Sequence, residues 1–276
     1  MFELTFDDTK VGKDDSSFKL DRLSPSMVGL YLTCPLAFYY AYIAKIQIPQ
    51  TRLHLLFGTA VHAAIEELYT HPDKAYEKFK ETFKKEELDL EGQQKFSEYY
   101  MLGLEMIKNY IESHTLLQDI YNLQDGTSEF AFREKVVNPL TGEKSRIPIS
   151  GRLDRILAND IIVEYKTSKT KWNADETRFK VQSLLYNLWF FTKHNHLARK
   201  TLYLILLKKY KQTKRDEVLQ IIESNPTLED LAGAWEEVDS IIDKIESGMF
   251  ERPTSGHPRY CDCYKYERLL GIKNNN

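Results

Sequence analysis

At 276 residues, with a formal net charge of -3 and 42% hydrophobic residues, the chain is long enough to bury a large core and too balanced in charge to be coated in nucleic-acid-binding surface. No apolar run approaches the roughly 20 residues needed to span a bilayer, and Met1-Phe2-Glu3-Leu4-Thr5 lacks the basic and apolar stretches of a secretory leader, so a cytoplasmic protein with no membrane contact is expected. Three cysteines make a disulfide framework unexpected and leave burial or metal ligation as their uses.

Residues 1–22 are polar and aperiodic and read as an arm before a single domain over 23–270, with 271–276 a disordered tail. Ser24-Pro25-Ser26 supplies helix-start chemistry. The aromatic run Met27–Ile46 is read as two packed helical pieces with a boundary near Cys34-Pro35. Residues 47–57 read as a linking loop, followed by a helix from Gly58 to Tyr69 that carries His62 and Glu66 on one face at i,i+4 spacing. Two amphipathic helices, about 73–90 and 91–124 with a break near Leu116, form an acidic helical insertion covering the core. Phe130–Val137 alternates as a strand and Asn138–Glu143 is a turn. The strand Arg146–Leu157 follows, then a partner at 161–167. Ala174–His194 has helical period, Thr201–Lys208 is a continuous apolar strand of the buried kind, and Leu228–Ser247 is a last amphipathic helix. Strand, helix, strand implies a right-handed parallel crossover.

The stretch richest in chemistry is Gly151-Arg152-Leu153-Asp154-Arg155-Ile156-Leu157 followed by Ile161-Ile162-Val163-Glu164-Tyr165-Lys166. A three-residue turn at Ala158-Asn159-Asp160 would set Asp154 opposite Glu164, with Lys166 on the same face. Like charges so placed destabilise a sheet unless a cation lies between them or one keeps its proton. Two carboxylates and an ammonium suit a divalent metal, a water and a phosphate. A two-residue Asn159-Asp160 turn would instead send the acids to opposite faces, and the same residues would then read as a surface hairpin with a salt bridge. Beyond the hairpin, Lys193–Arg215 holds eight basic residues and no acid, a tract suited to following a phosphate backbone.

Taken in order, Gly58-x-x-x-His62, Gly151-x-x-Asp154, Glu164-Tyr165-Lys166 and Gln182-x-x-x-Tyr186, with Ser24-Pro25-Ser26 and Cys34-Pro35-Leu36-Ala37-Phe38-Tyr39 ahead of them, resemble the PD-(D/E)xK nuclease superfamily in its RecB-like exonuclease branch. The resemblance implies a restriction-endonuclease-like α/β core, a central mixed sheet flanked by helices. It implies that Asp154 and Glu164 ligate Mg²⁺ or Mn²⁺, joined by His62 and the Tyr165 carbonyl, and that Lys166 orients or helps deprotonate the attacking water. Gln182 and Tyr186 become contacts to substrate and to Lys166. Glu66 would either hold His62 in one tautomer or stay solvated. The function implied is a metal-dependent exonuclease in recombination, repair or phage DNA processing, with endonucleolytic cleavage as its variant. Its substrate would be DNA, single-stranded or with free ends, and its partner a helicase, recombinase or annealing protein. Two rivals are a catalytically inactive DNA-binding or scaffolding subunit of the same fold, and an interaction protein using its acidic helices.

Many relatives of that branch hold an iron–sulfur cluster on four cysteines. Cys34 matches the first position, and Cys261-Asp262-Cys263 is a shortened remnant of the last three. Three cysteines cannot complete a four-cysteine cluster. The expectation is a degenerate site where the chain ends pack without a cluster; His257 completing a zinc site with Cys34, Cys261 and Cys263 is the other reading.

Overall fold

The computed structural model describes residues 18–47, 53–173, 180–209, 217–255 and 261–272. Residues 1–17 of the expected arm, the start of the helix expected from Ala174, the distal half of the basic tract and residues 273–276 lie outside these. Five strands form one mixed sheet in sequential order: β1 (Gly126–Glu134), β2 (Ile149–Leu157), β3 (Ile161–Ser168), β4 (Lys200–Leu207) and β5 (Leu219–Ser224). All neighbours are antiparallel except β3 and β4. That parallel pair is joined across the sheet by a helix, so the expected crossover is present. Every residue of β4 from Thr201 onward is buried, as its unbroken apolar run requires.

Helices cover both faces. On one, α3 (Leu53–Glu67), α4 (Ala75–Thr82) and α5 (Leu90–Tyr121) pack Phe57, Ile65, Phe79 and Tyr110 against Val163, Tyr165 and Leu204. On the other, α1 (Pro25–Thr33), α6 (Val181–His194) and α7 (Leu228–Glu246) pack Val28, Leu188, Trp189, Trp235 and Ile242 against Leu153 and Ile162. A short α2 (Pro35–Phe38) runs into a π-helical turn at Tyr39–Ile43, and α8 (Asp262–Leu269) returns to it.

Several expected boundaries move. Helix α3 begins at Leu53, so 53–57 are helical because Leu53 and Phe57 already belong to the buried stripe. The stretch 73–90 breaks into α4 between two 3₁₀ turns, Pro72–Lys74 and Lys85–Glu87. Helix α5 shows no break at Leu116: that residue is exposed, and the helix continues from an Asp89 N-cap to Asn122, which ends it in the left-handed region (φ 53). Strand β1 starts earlier and ends at Glu134, while Val137 makes an isolated bridge to Lys144. Strand β5 and helix α8 were not anticipated, being short elements with weak local patterning.

Two backbone features shape the end of the sheet that matters. The β2–β3 turn is the three-residue form: the Asp160 amide donates to the Leu157 carbonyl at 3.1 Å and Asp160 has φ 62. Arg155 therefore lies opposite Val163, which puts Asp154 level with Glu164. In β1, Glu129 takes φ 51 between the paired residues Ser128↔Arg155 and Phe130↔Leu153. This left-handed residue interrupts the alternation beside Asp154. Leu153 faces the core under α6, whereas the Arg155 guanidinium lies 4.0 Å from the centre of the Tyr69 ring on the other side.

Candidate active site

The β2–β3 ladder stops where the acids begin. Beyond Arg155↔Val163, the Tyr165 amide donates to Asp154 Oδ2 at 2.7 Å. A carboxylate thus replaces a neighbouring-strand carbonyl as acceptor, holding Asp154 against β3. From β3, Glu164 and Lys166 point toward α6, and Tyr165 points the opposite way into a hydroxyl cluster with Tyr69 and Tyr110.

Glu164 is 2% exposed, and its two oxygens differ. Oε1 accepts from Lys166 Nζ and, at 2.7 Å, from Gln182 Nε2; Oε2 is buried without a hydrogen-bond partner among the described residues. Gln182 sits in the first turn of α6 and Tyr186 one turn along. Gln182 Nε2 also donates to the Tyr186 hydroxyl at 3.0 Å, and that hydroxyl donates to the Arg152 carbonyl at 2.6 Å. The chain of bonds ties α6 to β2 and fixes the Glu164 carboxylate between them. Gly151 makes this approach feasible, since a Cβ there would meet the Phe132 and Tyr186 rings at 2.7 and 2.8 Å. Gly58 has open space where a Cβ would stand, so packing does not demand glycine there.

From α3, His62 reaches across the site, its Nδ1 3.6 Å from Asp154 Oδ1. Burial pulls the imidazole pKa down, but the interaction with Asp154 outweighs it and the net shift is upward. Burial first, then the Asp154 charge, pushes the Glu164 carboxyl up to about 7 against the pull of Lys166. Glu66 is likewise raised to about 7 by burial, then by the Glu129 and Asp154 charges. Both carboxyls are therefore held in the pocket at a cost in their charged form, set first by burial and second by the neighbouring acids.

A scan of protein families finds one that covers most of this chain: the PD-(D/E)XK nuclease superfamily matches residues 22–266. The chain belongs to that superfamily. No curated protein matches it in sequence. Among solved structures, a "Putative exonuclease" from Eubacterium rectale is similar with TM-score 0.56 at 14% identity, covering 93% of this chain and 94% of its own. At that identity the likeness is one of fold, and it supports the restriction-endonuclease-like α/β assignment. A second structure, SSO0001, has a TM-score of 0.41 at 16% identity, covering 90% of this chain and 85% of its own.

PD-(D/E)XK nucleases characteristically work with divalent metal ions, and the donor set of this nuclease fits one. Glu164 Oε2 is an oxygen taken out of water and left without a donor, a costly arrangement in a closed core. Beside it stand the Asp154 carboxylate, the Tyr165 backbone and the His62 imidazole, ligands of the kind that hard and borderline cations accept. The fold thus gathers His62, Asp154, Glu164, Lys166, Gln182 and Tyr186 into one pocket, with Glu66 at its edge. Sequence reasoning gave no sign of Arg152, whose carbonyl anchors Tyr186, or of Glu129, whose left-handed backbone interrupts β1 beside Asp154.

The basic tract does not run as one stripe. Lys193 pairs with Glu134 at 3.4 Å, Lys200 pairs with Glu223 at 2.6 Å, and the Arg199 amide donates to Asp160 beside the hairpin turn. Lys208 emerges at the opposite end of β4, where its amide donates to the Ser168 carbonyl. The eight residue steps from Lys200 to Lys208 along β4 separate the two groups by roughly 26 Å, at about 3.3 Å per residue. Of the described residues in the tract, Lys208 and Lys209 lie just past the Ser168 end of β3, beyond Lys166, and Lys200 lies at its Ile161 end.

Cys34, Cys261 and Cys263 meet, all buried, with their sulfurs within 4.8 Å of one another. His257 lies outside the described residues. No helix among the described residues is long and apolar enough to cross a membrane.

Proposed function

We propose that the chain is a metal-dependent deoxyribonuclease that hydrolyses DNA phosphodiester bonds from free ends, in the cytoplasm, on single-stranded or end-bearing DNA. The observation that carries this reading is the unsatisfied Glu164 Oε2, buried beside Asp154 with Lys166 on the same face. Asp154, Glu164, the Tyr165 carbonyl and His62 would hold Mg²⁺ or Mn²⁺, the imidazole favouring Mn²⁺. Bound there, the cation would supply Lewis-acid polarisation of the scissile phosphate.

The chain's own residues do the rest. Lys166 would orient or help deprotonate the attacking water and offset the negative charge that grows in the transition state. Gln182 fixes Oε1 of Glu164, leaving Oε2 without a donor among the described residues, and Tyr186 keeps Gln182 in place through the Arg152 carbonyl. All the acids and the lysine are present, which favours an enzyme over an inactive scaffold. Exonucleolytic action rests on the resemblance to the RecB-like branch and agrees with the description given to the E. rectale protein. Such ends are what a partner helicase, recombinase or annealing protein would present.

The deciding experiment compares end-labelled linear DNA with closed circular DNA, single- and double-stranded, with Mg²⁺ or Mn²⁺. Release of mononucleotides or short oligonucleotides from linear DNA alone is expected. Cleavage of circles would replace the exonuclease reading with an endonuclease. Unchanged cleavage by Lys166→Ala would sink the mechanism.

A further inference from the structure

All three cysteines of the chain converge at one point far from the carboxylate site in sequence and in chemistry. Cys34 caps α2, and its Sγ accepts from the Ala37 amide at 3.4 Å; Cys261 caps α8, and its Sγ accepts from the Cys263 amide at 3.5 Å. With Cys263 in the first turn of α8, the sulfurs lie within 4.8 Å of one another and the residues are almost wholly buried. The Ala37 amide favours the Cys34 thiolate, but burial outweighs it and holds the Cys34 and Cys263 thiols above their usual range, so a cation bound there would have to displace their protons.

A positive group stands beside them. Arg252 lies within electrostatic reach of Cys263, with its guanidinium 4.6 Å above the Tyr264 ring and an ion pair to Glu267. Its Nε is buried without an acceptor among the described residues. Three thiolates around a divalent ion carry one net negative charge; Arg252, already paired with Glu267, offsets only part of it.

The separation of the sulfurs selects the kind of ligand. Zinc–sulfur bonds of about 2.3 Å place tetrahedral thiolates about 3.8 Å apart, a contraction of roughly 1 Å at most from the arrangement seen. Thiolates that cap separate irons of a cubane each bind a different metal atom, and so stand farther apart than those around one ion. We propose that Cys34, Cys261 and Cys263 hold a single thiophilic cation, zinc by preference; no other His, Cys, Asp or Glu among the described residues joins them. The ion pins the C-terminal helix α8 to α2, and through α2 to α1, which packs on α6 of the nuclease site.

The test uses the full chain, purified without chelator, and the Asp154→Ala chain, in which the carboxylate site is disabled. About one zinc per chain is expected in both by elemental analysis, falling at least tenfold in Cys34→Ser and Cys263→Ser. Cobalt loading of the unmutated chain should give thiolate-to-cobalt charge-transfer absorption, a readout that survives even if the cysteine variants fail to fold. Iron with acid-labile sulfide would overturn the proposal. So would zinc lost with Asp154→Ala but retained without Cys263, a disulfide among the three, or three reactive thiols with no bound metal and no cobalt charge-transfer band.

Discussion

The two faces of β3 solve the same problem in opposite ways. Tyr165 buries its hydroxyl among those of Tyr69 and Tyr110, so a polar group in the core beneath α3 and α5 is fully partnered within the protein. One residue earlier, on the other face, Glu164 buries a carboxylate with one oxygen crowded by two donors and the other left with none among the described residues. Burial is nearly equal: Tyr165 is 0% exposed and Glu164 2%. What separates the faces is whether the described residues complete the hydrogen bonds of the buried group. A closed network rigidifies a core, whereas a buried acceptor left open, next to a second acid, marks a place built for something the chain does not supply.

That contrast predicts different losses from each face. On the site face, Lys166→Ala should cut the cleavage rate by at least about 100-fold. The fold should survive, because Glu164, already pushed up to about 7, takes up a proton when its cation is removed; circular dichroism and end-labelled DNA assays together check this. A variant that unfolds would show that Lys166 serves the core more than the chemistry. Gln182→Ala, which frees Glu164 Oε1 of one donor, should weaken Mn²⁺ binding or activity by about 10–100-fold in calorimetric titration and steady-state assays.

On the closed face, Tyr165→Phe should cost about 1–3 kcal/mol in denaturant unfolding, because it breaks a buried hydroxyl network. Cleavage at saturating metal should stay within a few-fold. A large activity loss with unchanged stability would erase the distinction between the faces.

The smallest effect is in pH. Glu164 and Glu66 are raised to about 7, and His62 is also raised, so each group takes up a proton more readily in the folded than in the unfolded chain. The sign is the same for all three: stability is present at low pH and is lost as pH climbs through the folded values. In chelator, the melting temperature should fall between about pH 5 and pH 8, with a shallower fall in Glu164→Gln. Mn²⁺ should flatten the slope in the unmutated chain. A slope indifferent to both the substitution and the metal would place the titrating groups elsewhere.

Much of the site was legible in sequence because its parts are local. Asp154 and Glu164 flank a turn whose length sets their register, and Lys166 and Glu164 share a face through the period of a strand. Gln182 and Tyr186 share a face through the period of a helix. The buried strand β4 and the crossover before it followed from an unbroken apolar run and the handedness of such connections. Strand β5 was missed because its six residues mix exposed and buried positions at a sheet edge, and it is defined by pairing with β4. The basic tract looked continuous because sequence proximity hides a strand that carries its two ends apart.

By itself, then, the sequence determined the hairpin, the spacing of the acids and lysine, and the apolar periods that make a mixed sheet with helices on both faces, because each depends on residues a few positions apart. Tertiary structure alone decided which oxygen of Glu164 stays unpartnered among the described residues, how Glu129 interrupts β1 beside Asp154, and how closely the sulfurs of the chain ends approach. Those outcomes depend on how separate elements dock, and docking is set by the summed packing of the whole core rather than by any local pattern.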